Sequence, residues 1–138
     1  MGAHRFVVVE GELAIVRLPP RDAVPGWAAG PGFVSVTRTG EELSIVCPVE
    51  WVPAGLRSEA GWNALQLVGP FPFDQVGVLA SIVGPLAEAR VSVFAISTFD
   101  TDYVLVKAEA LAEAIAALER AGHQNEKGPG PFLDRGPA

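Results

Sequence analysis

The sequence predicts an α+β fold, and three observations carry that expectation. The second half runs strand, helix, strand, strand, helix, with short runs rich in Val and Ile around two helical stripes. The first half has matching strands, but the segment Pro19–Gly32 holds four prolines and three glycines and leaves room for one helical turn at most. Finally, Phe33–Val46 lies over Val93–Val106 without a gap, as a degenerate internal repeat would. The second-half order is most of a βαββαβ, ferredoxin-like unit. The chain thus reads as two such modules in tandem, residues 1–59 with degenerate helices and residues 60–126 with full ones. A Gly/Pro-rich tail at 127–138 is expected to be flexible.

Each element has its own warrant. Phe6–Glu10 and Glu12–Leu18 flank the break Glu10-Gly11-Glu12 and read as a hairpin or as two short strands. Phe33–Thr39 and Glu42–Cys47 are strands around Gly40-Glu41, and Pro48–Glu59 is irregular with room for a short helical turn. Trp62–Val68 is a strand closed by Gly69-Pro70. From Gln75, apolar residues at Val78, Leu79, Ile82, Val83 and Leu86 form the stripe of an amphipathic helix. Asp74 is expected at its N-cap, and Pro85 should remove one backbone bond and bend it. Val91–Ser97 and Asp102–Ala108 are strands. Leu111, Ile115 and Leu118 mark a helix over Glu109–Ala121, stopped by Gly122.

Composition narrows the function. The 138 residues are 49% hydrophobic and carry 10 basic against 16 acidic side chains, a net charge of −6. That balance argues against nucleic acid or an anionic membrane, both of which need clustered Lys and Arg. The single Cys47 excludes an intrachain disulfide, no signal region is recognisable, and Gln75–Ala87 is too short to span a bilayer. A cytoplasmic protein is expected.

Catalytic signals are weak. His4 and His123 sit near opposite ends with no Cys or His at ligand spacing, so no metal site is expected. Cys47 lies in an apolar strand and reads as a buried, inert thiol. No phosphate-binding glycine fingerprint and no Gly-x-Ser-x-Gly elbow occurs. Asp100 and Asp102 could hold Mg²⁺ or divide acid and base roles, but a turn-stabilising Asp and a strand-opening Asp is the simpler reading. No catalytic residue and no cofactor is expected, and the chain reads as a non-enzyme.

Binding has the stronger signal. Gly69–Gly77 leads from a strand into a helix whose first amides and dipole suit a carboxylate. One such contact contributes about 0.3–1 kcal/mol, rising to ~2 when partly buried, so a second group must hold the ligand's positive end. Asp100 and Asp102 are candidates, and the combination fits a zwitterion, an amino acid. Plain capping by Asp74 and a plain connecting loop are the alternative.

The residues of Phe71–Ser81 and Ile96–Val106, with Thr37–Pro48 in the first half, resemble the ACT-domain family. The likeness is narrower to small bacterial ACT proteins similar to the aspartate kinase regulatory domain and the eukaryotic cytosolic arginine sensor. It covers about residues 5–125. The resemblance implies ferredoxin-like units that pair and bind amino acids at their interface. It places Asp74, Gln75, Val76, Gly77 and Val78 at the ligand's backbone groups, and Ser97, Thr98, Phe99, Asp100, Thr101 and Asp102 near it. It also implies a homodimer, and any regulated metabolic enzyme would be a separate chain. The acidic loop residues are compatible with lysine or arginine. In the first half, Gly40-Glu41-Glu42 stands where the second has Asp100-Thr101-Asp102, which speaks against an equivalent site there.

The leading expectation is a non-catalytic amino-acid sensor. The alternatives are a ligand-free dimerisation or docking module for a metabolic enzyme and, third, a small metal-assisted enzyme using Asp100 and Asp102.

Overall fold

A computed structural model describes residues 2–71 and 75–126. In chain order the elements are β1 (Arg5–Val8), β2 (Leu13–Leu18), β3 (Ser35–Arg38), β4 (Leu43–Pro48), β5 (Ser58–Leu67), α1 (Val78–Glu88), β6 (Val93–Ser97), β7 (Asp102–Lys107), α2 (Leu111–Arg120) and β8 (Gln124–Asn125). Short 3-10 turns lie at Gly26–Ala28, Val49–Trp51 and Ala108–Ala110. The chain forms two compact units, Gly11–Trp62 and Met1–Glu10 with Asn63–Ala138. The 59/60 boundary drawn on the sequence falls inside β5, whose residues are divided between the units.

In the Gly11–Trp62 unit the strand order is β3-β4-β2-β5, all antiparallel. This is the order of a βαββαβ unit with 3-10 turns where the helices would be. The prolines of the 19–31 segment account for the first loss, because each removes an amide donor and fixes φ. Side chains cover the sheet instead: Trp27, Trp51, Val52 and Leu56 pack on Val16, Leu18, Leu43, Ile45 and Cys47. Gly30 and Gly32 lie against Trp51, and a Cβ on Gly30 would stand 3.1 Å from the indole ring. Cys47 is fully buried, and burial, with a smaller contribution from the Glu50 charge, pushes its thiol pKa up. β5 starts four residues before the expected Trp62, because its first turn of sequence is polar and exposed, and Gly61 (φ +85°) sits at an irregularity opposite Leu13 and Ile15.

In the other unit the order is β8-β1-β5-β7-β6. The segment β5-α1-β6-β7-α2-β8 is a complete βαββαβ unit, and β1 enters it between the first and last strands. β1 runs antiparallel to β5 and parallel to β8. Each of β1 and β2 therefore pairs elsewhere, and the hairpin alternative for these two segments does not occur. Phe6, Leu65, Leu67, Val104 and Val106 point at Val78, Ile82 and Leu86 of α1 and at Ala114, Ala117 and Leu118 of α2. The alternating residues Val7, Ala64, Gln66, Tyr103 and Leu105 are buried as well. Burial of both faces explains why these strands read as continuous apolar runs instead of an alternation.

The two long hairpins repeat each other, but not in the expected alignment. Arg38 pairs with Leu43 and Ser97 with Asp102. In each turn a threonine closes the loop: Thr39 N–H donates to Glu42 O at 2.9 Å and Thr98 N–H to Thr101 O at 2.8 Å. Thr39 thus corresponds to Thr98, and the gapless overlay is one residue out of step. A one-residue slip exchanges the two sheet faces. Only the corrected match puts Ile45 and Cys47, which face the first unit's core, over Val104 and Val106, which face the helices.

The helices depart from expectation at their starts. α1 begins at Val78, not Gln75, and Gly77, at φ +87°, occupies the N-cap in place of Asp74, which lies outside the described residues. Pro85 lies inside α1, which runs on through it to Glu88. Its missing N–H leaves the Ser81 carbonyl without the donor four residues on, and His123 Nε2 takes that place at 2.9 Å. Both helices end in the same motif. Val91 N–H donates to Leu86 O and Arg90 N–H to Ala87 O; His123 N–H donates to Leu118 O and Gly122 N–H to Glu119 O. The left-handed residue is Gly122 (φ +99°) in one case but Arg90 (φ +63°) in the other.

Arg90→Gly should therefore stabilise the protein. The left-handed conformation costs a non-glycine residue about 1–2 kcal/mol, and added backbone entropy in the unfolded chain offsets about 0.5–1 of it. A gain of up to about 1 kcal/mol, read as a melting temperature higher by roughly 2–4 °C, is expected in a denaturation scan.

Candidate functional site

The candidate site lies where β5 ends, α1 begins and the β6–β7 hairpin turns. A cleft of about 270 Å³ is lined by Phe71, Gln75, Val78 and Leu79 on one side and by Ser97 through Asp102 on the other. Two hydrogen bonds join its walls. Thr101, buried, donates from Oγ1 to Leu67 O at 2.9 Å, and Phe71 N–H donates to Asp100 O at 3.0 Å. Gly69 makes the second contact feasible, because a Cβ there would come within 3.0 Å of the same Asp100 carbonyl.

The hairpin wall is ordered by its own turn. Thr98 Oγ1 donates to Thr101 O at 3.0 Å and accepts from Thr101 N–H at 3.3 Å. Ser97 and Asp102 face each other across the strand pair, and Ser97 Oγ donates to Asp102 Oδ1 at 2.5 Å. That bond fixes one carboxylate oxygen of Asp102. Phe99 at the tip is 78% exposed. The helix wall is the first turn of α1, where Val78 and Leu79 line the cleft; their N–H groups have no intrahelical acceptor, because the first helical bond runs from Ser81 N–H to Gly77 O.

Of the eleven residues singled out in the sequence, eight line this cleft: Gln75, Val78, Ser97, Thr98, Phe99, Asp100, Thr101 and Asp102. Val76, 92% exposed, and Gly77 lie beside it without lining it, and Asp74 is outside the described residues. Phe71 and Leu79 were missed as lining residues. Phe71 opens the loop motif and was passed over within it, and Leu79 belongs to the apolar stripe, which was read as packing. The lining carries two carboxylates and no basic side chain. Among the described residues no cluster of three or more His, Cys, Asp or Glu side chains could hold a metal.

The corrected hairpin match sharpens the contrast between the halves. Arg38 and Leu43 stand where Ser97 and Asp102 stand, so the first hairpin has neither the hydroxyl nor the carboxylate.

Behind the cleft, the histidines from the two ends of the sequence meet. The His4 and His123 rings stack at 5.8 Å, and His4 meets the edge of Phe71 at 5.7 Å. Burial, and then the neighbouring His123, lowers the pKa of His4. Stability linked to His4 is complete above its ordinary value of 6.5 and declines as pH falls below it, because the unfolded chain then binds the proton more readily.

An ACT domain family model matches residues 57–120, and a second model, of an N-terminal domain, matches residues 11–55. The chain is 37% identical to protein Atu0741 from Agobacterium tumefaciens, covering 94% of this chain and 98% of that one with a TM-score of 0.86. It is 36% identical over 115 residues to the bovine protein named cytosolic arginine sensor for mTORC1 subunit 1, covering 74% of this chain. The chain spans about a third of the length of that curated relative. The regulatory subunit of aspartate kinase from Thermus thermophilus shares the fold at a TM-score of 0.58 and 11% identity, over 83% of this chain and 94% of that one. No helix among the described residues is long and apolar enough to cross a membrane. The chain belongs to the ACT-domain family, with the ACT domain matched over residues 57–120.

Proposed function

We propose that the protein is a non-catalytic sensor that binds a free amino acid in the cleft between the start of α1 and the β6–β7 turn. The observation that carries this reading is the pairing of two opposite chemistries in one cleft of about 270 Å³: helix-start amides on one wall, Asp100 and Asp102 on the other. The ligand's carboxylate would meet the amides of Val78 and Leu79, and a cationic group would meet the free oxygen of Asp102. A second positive group, as in lysine or arginine, would use Asp100. Gln75 would donate or accept at the rim, and Phe71, Leu79 and Phe99 would cover the aliphatic part. The name of the bovine relative, an arginine sensor, supports this class of ligand.

The size and energetics agree. The cleft is about nine times the ~30 Å³ that a water occupies in the liquid, enough for a metabolite of about ten heavy atoms. Micromolar affinity for such a ligand needs about 0.8 kcal/mol per atom, under the ceiling of ~1.5 for very small ligands. We further propose that the protein acts as a cytoplasmic homodimer whose ligand biases a separate metabolic enzyme.

A thermal-melting screen against the proteinogenic amino acids tests the reading. A true ligand at a hundredfold over its dissociation constant should add ~2.7 kcal/mol, a rise of several degrees. Flat curves across the panel at millimolar concentration would leave a docking module as the better account. With a ligand in hand, Asp102→Asn should weaken binding about tenfold or more while the melting temperature of the free protein stays within a few degrees. Ser97→Ala, which only frees the Asp102 carboxylate to rotate, should weaken binding by less. Loss of soluble protein in both variants would show that the pair is structural. Gly77 is a poor place for such a test, because its φ of +87° strains any side chain put there.

A further inference from the structure

We propose that His123 and His4 form a proton-sensitive support behind the cleft, so that acidification loosens the wall carried by α1 and Phe71. The proposal rests on the reading of the cleft as a binding site and adds a regulator to it.

The geometry fixes the protonation state of His123. Its Nδ1 accepts from the His4 backbone N–H at 3.0 Å, so Nδ1 carries no proton. Its Nε2 lies 2.9 Å from the Ser81 carbonyl, which only accepts, so Nε2 carries the proton. One neutral tautomer satisfies both partners, and the ring is buried. A proton on Nδ1 would remove the acceptor and turn two donors toward each other. Pro85 makes the Ser81 contact matter, since no backbone amide can replace His123 there.

The support reaches the cleft by two short routes. Ser81 lies one turn or less beyond Val78 and Leu79, which line it, and Ser81 Oγ donates back to Val78 O at 2.7 Å. His4, stacked on His123, holds the edge of Phe71, which also lines it. The charged groups nearby are few. On α1, Glu88 lines the same surface pocket as His123; beside β1 and β8, Arg5 and Glu126 are paired at 2.6 Å. Burial opposes a charge on His4, and a charge on each of two stacked rings opposes the other.

The test is NMR of the full chain with fluorophenylalanine and ¹⁵N-histidine labels and no added ligand, titrated from pH 7.5 to 5.0. The ¹⁵N shifts should show His123 as the Nε2–H tautomer at pH 7.5. The Phe71 fluorine resonance, assigned by Phe71→Leu, should move as the pH falls through this range, and should hold still over the same range in His4→Gln. A Pro85→Ala background supplies an amide to the Ser81 carbonyl, so His123→Gln should lower the melting temperature by less than half as much there as in the wild type. An Nδ1–H tautomer at pH 7.5, or a Phe71 signal unmoved over the whole range, would overturn the proposal. A moving Phe71 signal in a protein that binds no amino acid would leave the support standing and remove the sensor reading instead.

Discussion

Two hydrogen bonds between the end of β5 and the β6–β7 turn hold the candidate site together: Thr101 Oγ1 to Leu67 O, and Phe71 N–H to Asp100 O. Without them the loop entering α1 and the hairpin tip would be independent surface loops, free to drift apart. With them, a helix start and a pair of carboxylates face each other at a fixed separation. The first bond is buried, where a lost partner costs more than the bond contributes in water. The second depends on a residue with no side chain at position 69.

The sheet imposes the other constraint, through its two-residue period. In the second hairpin this period aims Asp102 at the cleft while Val104 and Val106 enter the core beneath the helices. In the first hairpin the same period aims Leu43, Ile45 and Cys47 at a core roofed by tryptophans. In that frame Leu43, fully buried, stands in place of Asp102, and Arg38, exposed and donating to the Pro20 carbonyl, in place of Ser97. One strand period thus sets a carboxylate at the cleft in one half and a buried leucine in the other.

Much of this was legible in the sequence. The stripe from Val78 to Leu86 fixes which side of α1 is buried, and the prolines between Pro19 and Pro31 explain the missing helix. Eight of the cleft's ten lining residues stood out on residue chemistry and family resemblance. What was not legible depends on long-range partners. Nothing local shows that β1 pairs with β5 across nearly sixty residues, or that His4 and His123 stack. The overlay of the first hairpin on the second was off by one residue because Val, Ile and Leu fit either face of a strand buried on both sides. The start of α1 was misread because apolar periodicity is blind to backbone handedness, and the N-cap is the left-handed Gly77.

The route of the chain has a consequence for how the protein is made. The Gly11–Trp62 unit is one continuous stretch, whereas the other is assembled from Met1–Glu10 and everything after Asn63. A nascent chain leaving the ribosome completes the continuous stretch first. Its opening strand must meanwhile wait, unpaired, for β5 to emerge, and for α2 and β8 before its second edge is covered. That waiting strand, Arg5–Val8, begins with a charged residue and is only four residues long. Both traits discourage edge-to-edge association during the delay.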